Sequence, residues 1–253
     1  MKDFQVKFDN ILLEICYHHG NLFWDRCGQT LQDIETRNIG WFAVPDREGI
    51  GKLDNPEKDI SCFFNQEKFI IRKDPVNIND IEDFKNEAHQ IWRYLKANFG
   101  LESVYKITVK TEILKPTMDW KESEKLISNS ELNIVVPKHL VDNDYKLLVR
   151  NMITIFEKEG AEYRLELKGV TRTKSINPSS IIGQSIRKLS KNQKEYRTQK
   201  LRQLSEYSAN PMYAALLIVD CIHYDPESIR VYEIIENDVA TIKSDILPIM
   251  EAL

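Results

Sequence analysis

At 253 residues and 42% apolar, the chain is long enough to bury a substantial core, either as one α+β domain or as two fused half-domains. Its 29% charged residues and net charge of −4 describe an ordinary water-facing surface, so overall charge gives no reason to expect a nucleic acid or a membrane as partner. No apolar run reaches the roughly 18 residues that a membrane span needs, and Met1-Lys2-Asp3-Phe4 lacks a hydrophobic leader, so a cytoplasmic location is expected.

Phe4 to Tyr17 is β-tending, with Phe8, Ile11, Leu13 and Ile15 near alternate positions, and predicts a strand. Leu22, Phe23, Cys27, Thr30, Leu31 and Ile34 recur at helical spacing until Gly40, a good helix stop. Trp41 to Val44 predicts a short strand, and Pro45 to Glu57, with its Pro, Gly and charges, a surface loop. Ser61 to Phe64 and Lys68 to Arg72 form a hairpin pattern around Asn65-Gln66-Glu67. Asn79, with Glu82 three residues on, has the spacing of a capping pair. Beyond it Ile81, Phe84, Ala88, Ile91, Trp92, Leu95 and Phe99 form one helical stripe closed by Gly100. Val104 to Leu114 alternates as a strand that Pro116 is expected to end. The resulting β-α-β-β-β-α-β order predicts an antiparallel sheet with helices on one face.

In the second half, Met152, Thr154 and Phe156, the turn Glu159-Gly160, and Tyr163, Leu165 and Leu167 favour a hairpin, with a helix from Val141 to Glu159 as the alternative. Met212 to Ile222 is a nearly unbroken apolar run, as a central strand requires. Asp225-Pro226 has the form of a helix cap with Pro in the first turn, Ile235, Val239, Ile242 and Ile246 supply a buried stripe, and Pro248 is expected to end that helix. The organisation expected is two similar halves, 1–116 and 117–253, the second carrying a basic segment at 171–202.

Several of these residues also carry a family resemblance. Phe69 ahead of Pro75, Asp80-Ile81-Glu82-Asp83-Phe84 opening the long helix, Ile91-Trp92 with Tyr94, the strand Val104 to Ile113, and Ala215-Leu216-Leu217-Ile218-Val219-Asp220 before an acidic helix resemble a sporadically distributed family of uncharacterised prokaryotic proteins of about this length. That family usually carries an Arg-Tyr-Asn-Arg-like run where this chain has Lys110-Thr111-Glu112-Ile113, so no role of that run is carried over. The resemblance implies patchily inherited accessory genes, such as those of defence or CRISPR loci.

From Thr171 to Arg202 nine Lys or Arg stand against the single acid Glu195, in a chain that is acidic overall. If Ser180 to Ser205 is helical, Ile182, Ile186, Leu189 and Tyr196 share one side and the cations take the rest. Such a segment fits an acidic protein groove or a phosphate backbone, or is a solvated helix face held against the chain's own acidic tail. That tail, Asp225 to Glu251, has seven acids against Arg230 and Lys243.

Cys16-Tyr17-His18-His19 and Cys221-Ile222-His223 each bring a thiol and an imidazole to one side of a strand, but neither supplies the third ligand of a metal site or an oriented base. Cys16, Cys27, Cys62 and Cys221 are spread without a Cys-x-x-Cys pair, which predicts reduced, mostly buried thiols. Asp144 followed by Glu166-Leu167-Lys168 has the spacing of a Mg²⁺-dependent nuclease, although Glu166 and Lys168 on one strand face read more simply as a polar edge. No phosphate-cradling glycine loop occurs.

The reading is therefore an α+β, non-catalytic adaptor without a cofactor. Its protein partner, encoded nearby, is met by Arg187, Lys188, Lys191, Lys194, Arg197 and Lys200, with Tyr196 as anchor. The alternative is a nucleic-acid-binding or nuclease accessory protein that uses the same segment, with Asp144, Glu166 and Lys168 as its metal site.

Overall fold

The computed structural model describes residues 5–18, 22–37, 40–44, 50–74, 76–79, 81–130, 132, 151–172, 212–226 and 230–253. Among these residues nine strands form one sheet: β1 (Lys7–Tyr17), β2 (Phe42–Ala43), β3 (Gly51–Asn55), β4 (Ile60–Phe64), β5 (Lys68–Lys73), β6 (Val104–Thr117), β7 (Asn151–Lys158), β8 (Ala161–Arg172) and β9 (Met212–Tyr224). Their order is β2-β3-β4-β5-β1-β6-β9-β8-β7, and every neighbouring pair is antiparallel. The helices among the described residues are α1 (Phe23–Arg37), α2 (Glu82–Phe99), α3 (Trp120–Asn129), α4 (Val231–Thr241), a widened π turn (Ile242–Ile246) and α5 (Leu247–Ala252). This is the α+β architecture that the order of elements predicts.

Side-chain alternation decides where the core lies. Ile11, Leu13 and Ile15 of β1, Ile107, Val109 and Ile113 of β6, Leu165 and Leu167 of β8, and Leu217, Val219 and Cys221 of β9 all turn to the helix-covered face. There they meet Phe23 and Ile34 of α1, the Phe84 to Phe99 stripe of α2, Ile127 of α3 and Val231, Ile235 and Val239 of α4 in one continuous cluster. β6 pairs with β1 on one side and with β9 on the other, so strands from both stretches, 1–116 and 117–253, share the same sheet. β9 lies between β6 and β8 and is buried on both faces, which accounts for its unbroken apolar run.

Local details correct several expectations. The stretch expected as a loop from Pro45 to Glu57 contains β3, whose Leu53 is buried and whose Gly51 lies directly beneath the Phe64 ring; a Cβ there would come within 2.2 Å of that ring. Asn79 does not cap α2: its N–H is taken by Asn77 Oδ1 at 3.0 Å, and the helix starts at Glu82 with acids in its first turn. Gly100 does close α2, in the left-handed conformation. Pro116 does not end β6, because β1 begins pairing only at Leu114, so a missing N–H at position 116 breaks no ladder bond on that side. Asp225 does not cap α4; it has positive φ and donates its N–H to the Tyr105 carbonyl, and α4 begins at Val231. Pro248 opens α5 rather than ending the helix. With no N–H at 248 to donate, the ladder widens and the Leu247 N–H reaches back to the Ile242 carbonyl.

Candidate interaction edge

Arg187, Lys188, Lys191, Lys194, Tyr196, Arg197 and Lys200 lie outside the described residues, as does Asp144. Glu166 and Lys168 do share a face of β8, where Lys168 Nζ sits 2.9 Å from the Glu166 carboxylate and occupies it. Among the described residues no three His, Cys, Asp or Glu side chains are placed to hold a metal ion. No helix among them is long and apolar enough to cross a membrane.

The two thiol–imidazole pairs resolve differently. His223 Nε2 lies 2.9 Å from Asp238 Oδ2, and Asp238, on α4, is 1% exposed. A carboxylate only accepts, so Nε2 carries the proton and Nδ1 is the remaining nitrogen. Tyr163 donates to the same carboxylate at 3.4 Å; its burial and the Asp238 charge push the phenol up to about 12. This has the form of an oriented base. The thiol beside it, Cys221, is fully buried, and burial together with Asp238 and Asp220 holds it far above the usual thiol range, so it is no nucleophile. Cys16 is buried on the opposite face and is likewise pushed up by burial and by Glu14, while the His18 ring lies tilted against Tyr105, 4.8 Å between centres. All four cysteines are free, as expected, and Cys27 and Cys62 are also raised by burial.

The remaining polar clusters fasten elements together. Glu87 of α2 accepts from the Trp41 indole at 2.6 Å and from Lys58 Nζ at 2.7 Å. Lys85, also of α2, lies 4.2 Å from the centre of the Tyr232 ring of α4 and 2.9 Å from Glu82. On the face away from the helices, Glu14 lies between Lys68 at 3.2 Å and Lys106 at 3.3 Å, and Lys110 meets Asp220 at 3.0 Å. These cross-strand pairs neutralise cations that an anionic ligand would otherwise find free.

One element is left open. β7 is the last strand of the sheet, and among the described residues no strand pairs with its outer edge. It joins β8 through Glu159 and Gly160, both with positive φ, a two-residue turn of the kind that matches the twist of a hairpin. Ile153 is 46%, Ile155 58% and Phe156 49% exposed, with the two isoleucines opposite Glu166 and Arg164 on the helix-free face and Phe156 opposite Tyr163 on the other. Charge, proline or a bulge usually blunts such an edge. Here charge comes only at Glu157 and Lys158, and Lys158 is held by Asp245 at 2.9 Å.

Comparison of the chain with family models, curated proteins and solved structures finds no match. The chain's own geometry carries the functional argument. The sequence held one signal for this edge: Ile153 and Ile155 fill the places between Met152, Thr154 and Phe156, so a strand beside a tight turn is apolar at consecutive positions without being central.

Proposed function

We propose that the chain is a non-catalytic protein-interaction protein, an adaptor that associates with polypeptide by strand pairing along β7. The observation that supports this reading is the eight-residue outer edge of β7, which no strand among the described residues pairs with, and beside which Ile153, Ile155 and Phe156 are exposed. Strand addition takes affinity from main-chain hydrogen bonds and specificity from alternate side chains, and this edge offers both. Arg187, Lys188, Lys191, Lys194, Arg197 and Lys200, with Tyr196, are the proposed second contact, suited to an acidic protein surface. A cytoplasmic setting and an accessory role in a prokaryotic defence or CRISPR-linked locus complete the proposal; they rest on composition and on the family resemblance.

The test offers immobilised full-length chain, natural or Ile155→Lys, to purified polypeptides one at a time: a differently tagged sample of the chain itself, and each product of the adjacent genes. At least one is expected to bind the natural chain and to lose about tenfold or more in affinity with Ile155→Lys, the loss typical of an interface anchor. If none binds in an Ile155-sensitive way, the reading fails. Binding of DNA or RNA that weakens steeply with salt and is abolished by reversing the cationic residues would replace it with the nucleic-acid alternative.

A further inference from the structure

We infer that the polypeptide taken up by the β7 edge is a second copy of the chain, giving a two-fold dimer in which the sheets of both copies run on through antiparallel β7 pairing. This rests on the reading of β7 as an association edge and names its occupant.

The direction of the backbone groups follows from the turn. In a two-residue hairpin the residues flanking the turn, Lys158 and Ala161, exchange hydrogen bonds with each other. Alternation along the strand then turns the N–H and C=O of Phe156 and Thr154 toward β8, and those of Glu157, Ile155, Ile153 and Asn151 outward. The outward set includes both exposed isoleucines.

A two-fold axis perpendicular to the sheet keeps the helix-free faces of both copies on the same side, so only registers that pair residues of like parity are allowed. Centring the axis on Thr154 places Ile153 opposite Ile155 of the second copy and Ile155 opposite its Ile153, both as hydrogen-bonded pairs. The same register sets Thr154 against Thr154, Phe156 against Met152 and Glu157 against Asn151. Every central pair is apolar or Thr–Thr, combinations that favour cross-strand contact. Moving the axis to Ile155 pairs that residue with itself but sets Ile153 against Glu157, and moving it to Ile153 pairs that residue with itself but sets Ile155 against Asn151; each keeps one isoleucine pair where the Thr154 register has two. The strand is thus best matched to itself in the Thr154 register, with the four exposed isoleucines of the two copies gathered into one patch and the charges of Glu157 and Lys158 at its ends. A continuous sheet of this kind also removes the long open edge, the feature that otherwise invites irregular aggregation.

The experiment measures the mass of the full chain by light scattering after size exclusion, from low to high micromolar concentration. The natural chain is expected at twice the monomer mass. Ile153→Lys and Ile155→Lys should each run as monomers with an unchanged circular dichroism spectrum, because both positions are exposed, and Trp24→Lys, on exposed α1 surface, should remain dimeric. Thr154→Cys lies on the axis in a non-hydrogen-bonded pair, where β-carbons approach closely enough for a disulfide, and should form a covalent dimer on mild oxidation. Glu157→Cys, which meets Asn151 rather than itself, should not. A monomeric natural chain at every concentration, a dimer that survives Ile155→Lys, or cross-linking at 157 in preference to 154 would overturn the proposal. If an adjacent-gene product still bound in an Ile155-sensitive way, the adaptor reading would stand without the self-pairing.

Discussion

The two ends of the sheet are built on opposite plans. At one end β2 is only two residues long, and its outward Ala43 N–H is taken by the Glu35 carboxylate of α1 at 2.6 Å, so almost no edge is offered. At the other end β7 runs for eight residues, with apolar side chains exposed and no such cover among the described residues. An edge costs little when it is short and capped, and a long uncapped one is conspicuous where its counterpart has been closed. The contrast supports the proposed association at β7 and sets it apart from the closed β2 end.

The comparison breaks most sharply at Gly51, where the closed end is tightest. Gly51→Ala drives a methyl into the fully buried Phe64 ring and should cost about 3 kcal/mol, read as a lower urea midpoint with an unchanged slope. Glu87→Leu removes the acceptor of the Trp41 indole and the partner of Lys58 beside the same end, and a loss of about 2 kcal/mol is expected in the same measurement. Between the two ends lies Glu14. Burial raises its carboxyl, but Lys68 and Lys106 outweigh that and hold it below the usual carboxylate range. A lowered folded-state value means that its contribution is present above the unfolded value, about 4.3, and is lost as pH falls through the folded one. Urea midpoints measured across pH 3 to 6 should therefore fall less on the acid side in Glu14→Gln than in the natural chain. The smallest change in stability belongs to the open end: Ile155→Lys should shift monomer stability by no more than about 0.5 kcal/mol while abolishing association.

How much of this was legible in the sequence depends on whether a local pattern or a distant partner decides each element. The α2 stripe ending at Gly100 and the Glu159-Gly160 turn are fixed by neighbours along the chain, and both stand as read. β3 was hidden because Gly-Lys-Leu-Asp-Asn is a poor strand former, and only its pairing with β4 and the burial of Leu53 make it one. Pro116 and Pro248 have the local look of stops, because nothing nearby in the sequence shows that one faces a place where β1 has not yet begun and the other starts a new turn. The same limit applies to the candidate site. Strand identity is a local property, whereas being an edge is a property of sheet order, which the chain writes only through long-range register.

The widened turn ahead of Pro248 has a geometric consequence for the end of the chain. Side chains four apart on a regular helix creep steadily around its axis, so Ile242, Ile246 and Met250 would spiral away from a flat support. The extra residue taken into that coil rewinds the creep, and all three remain buried against the sheet. A one-residue insertion there is thus absorbed as a local loosening, and the packing downstream of it survives unchanged.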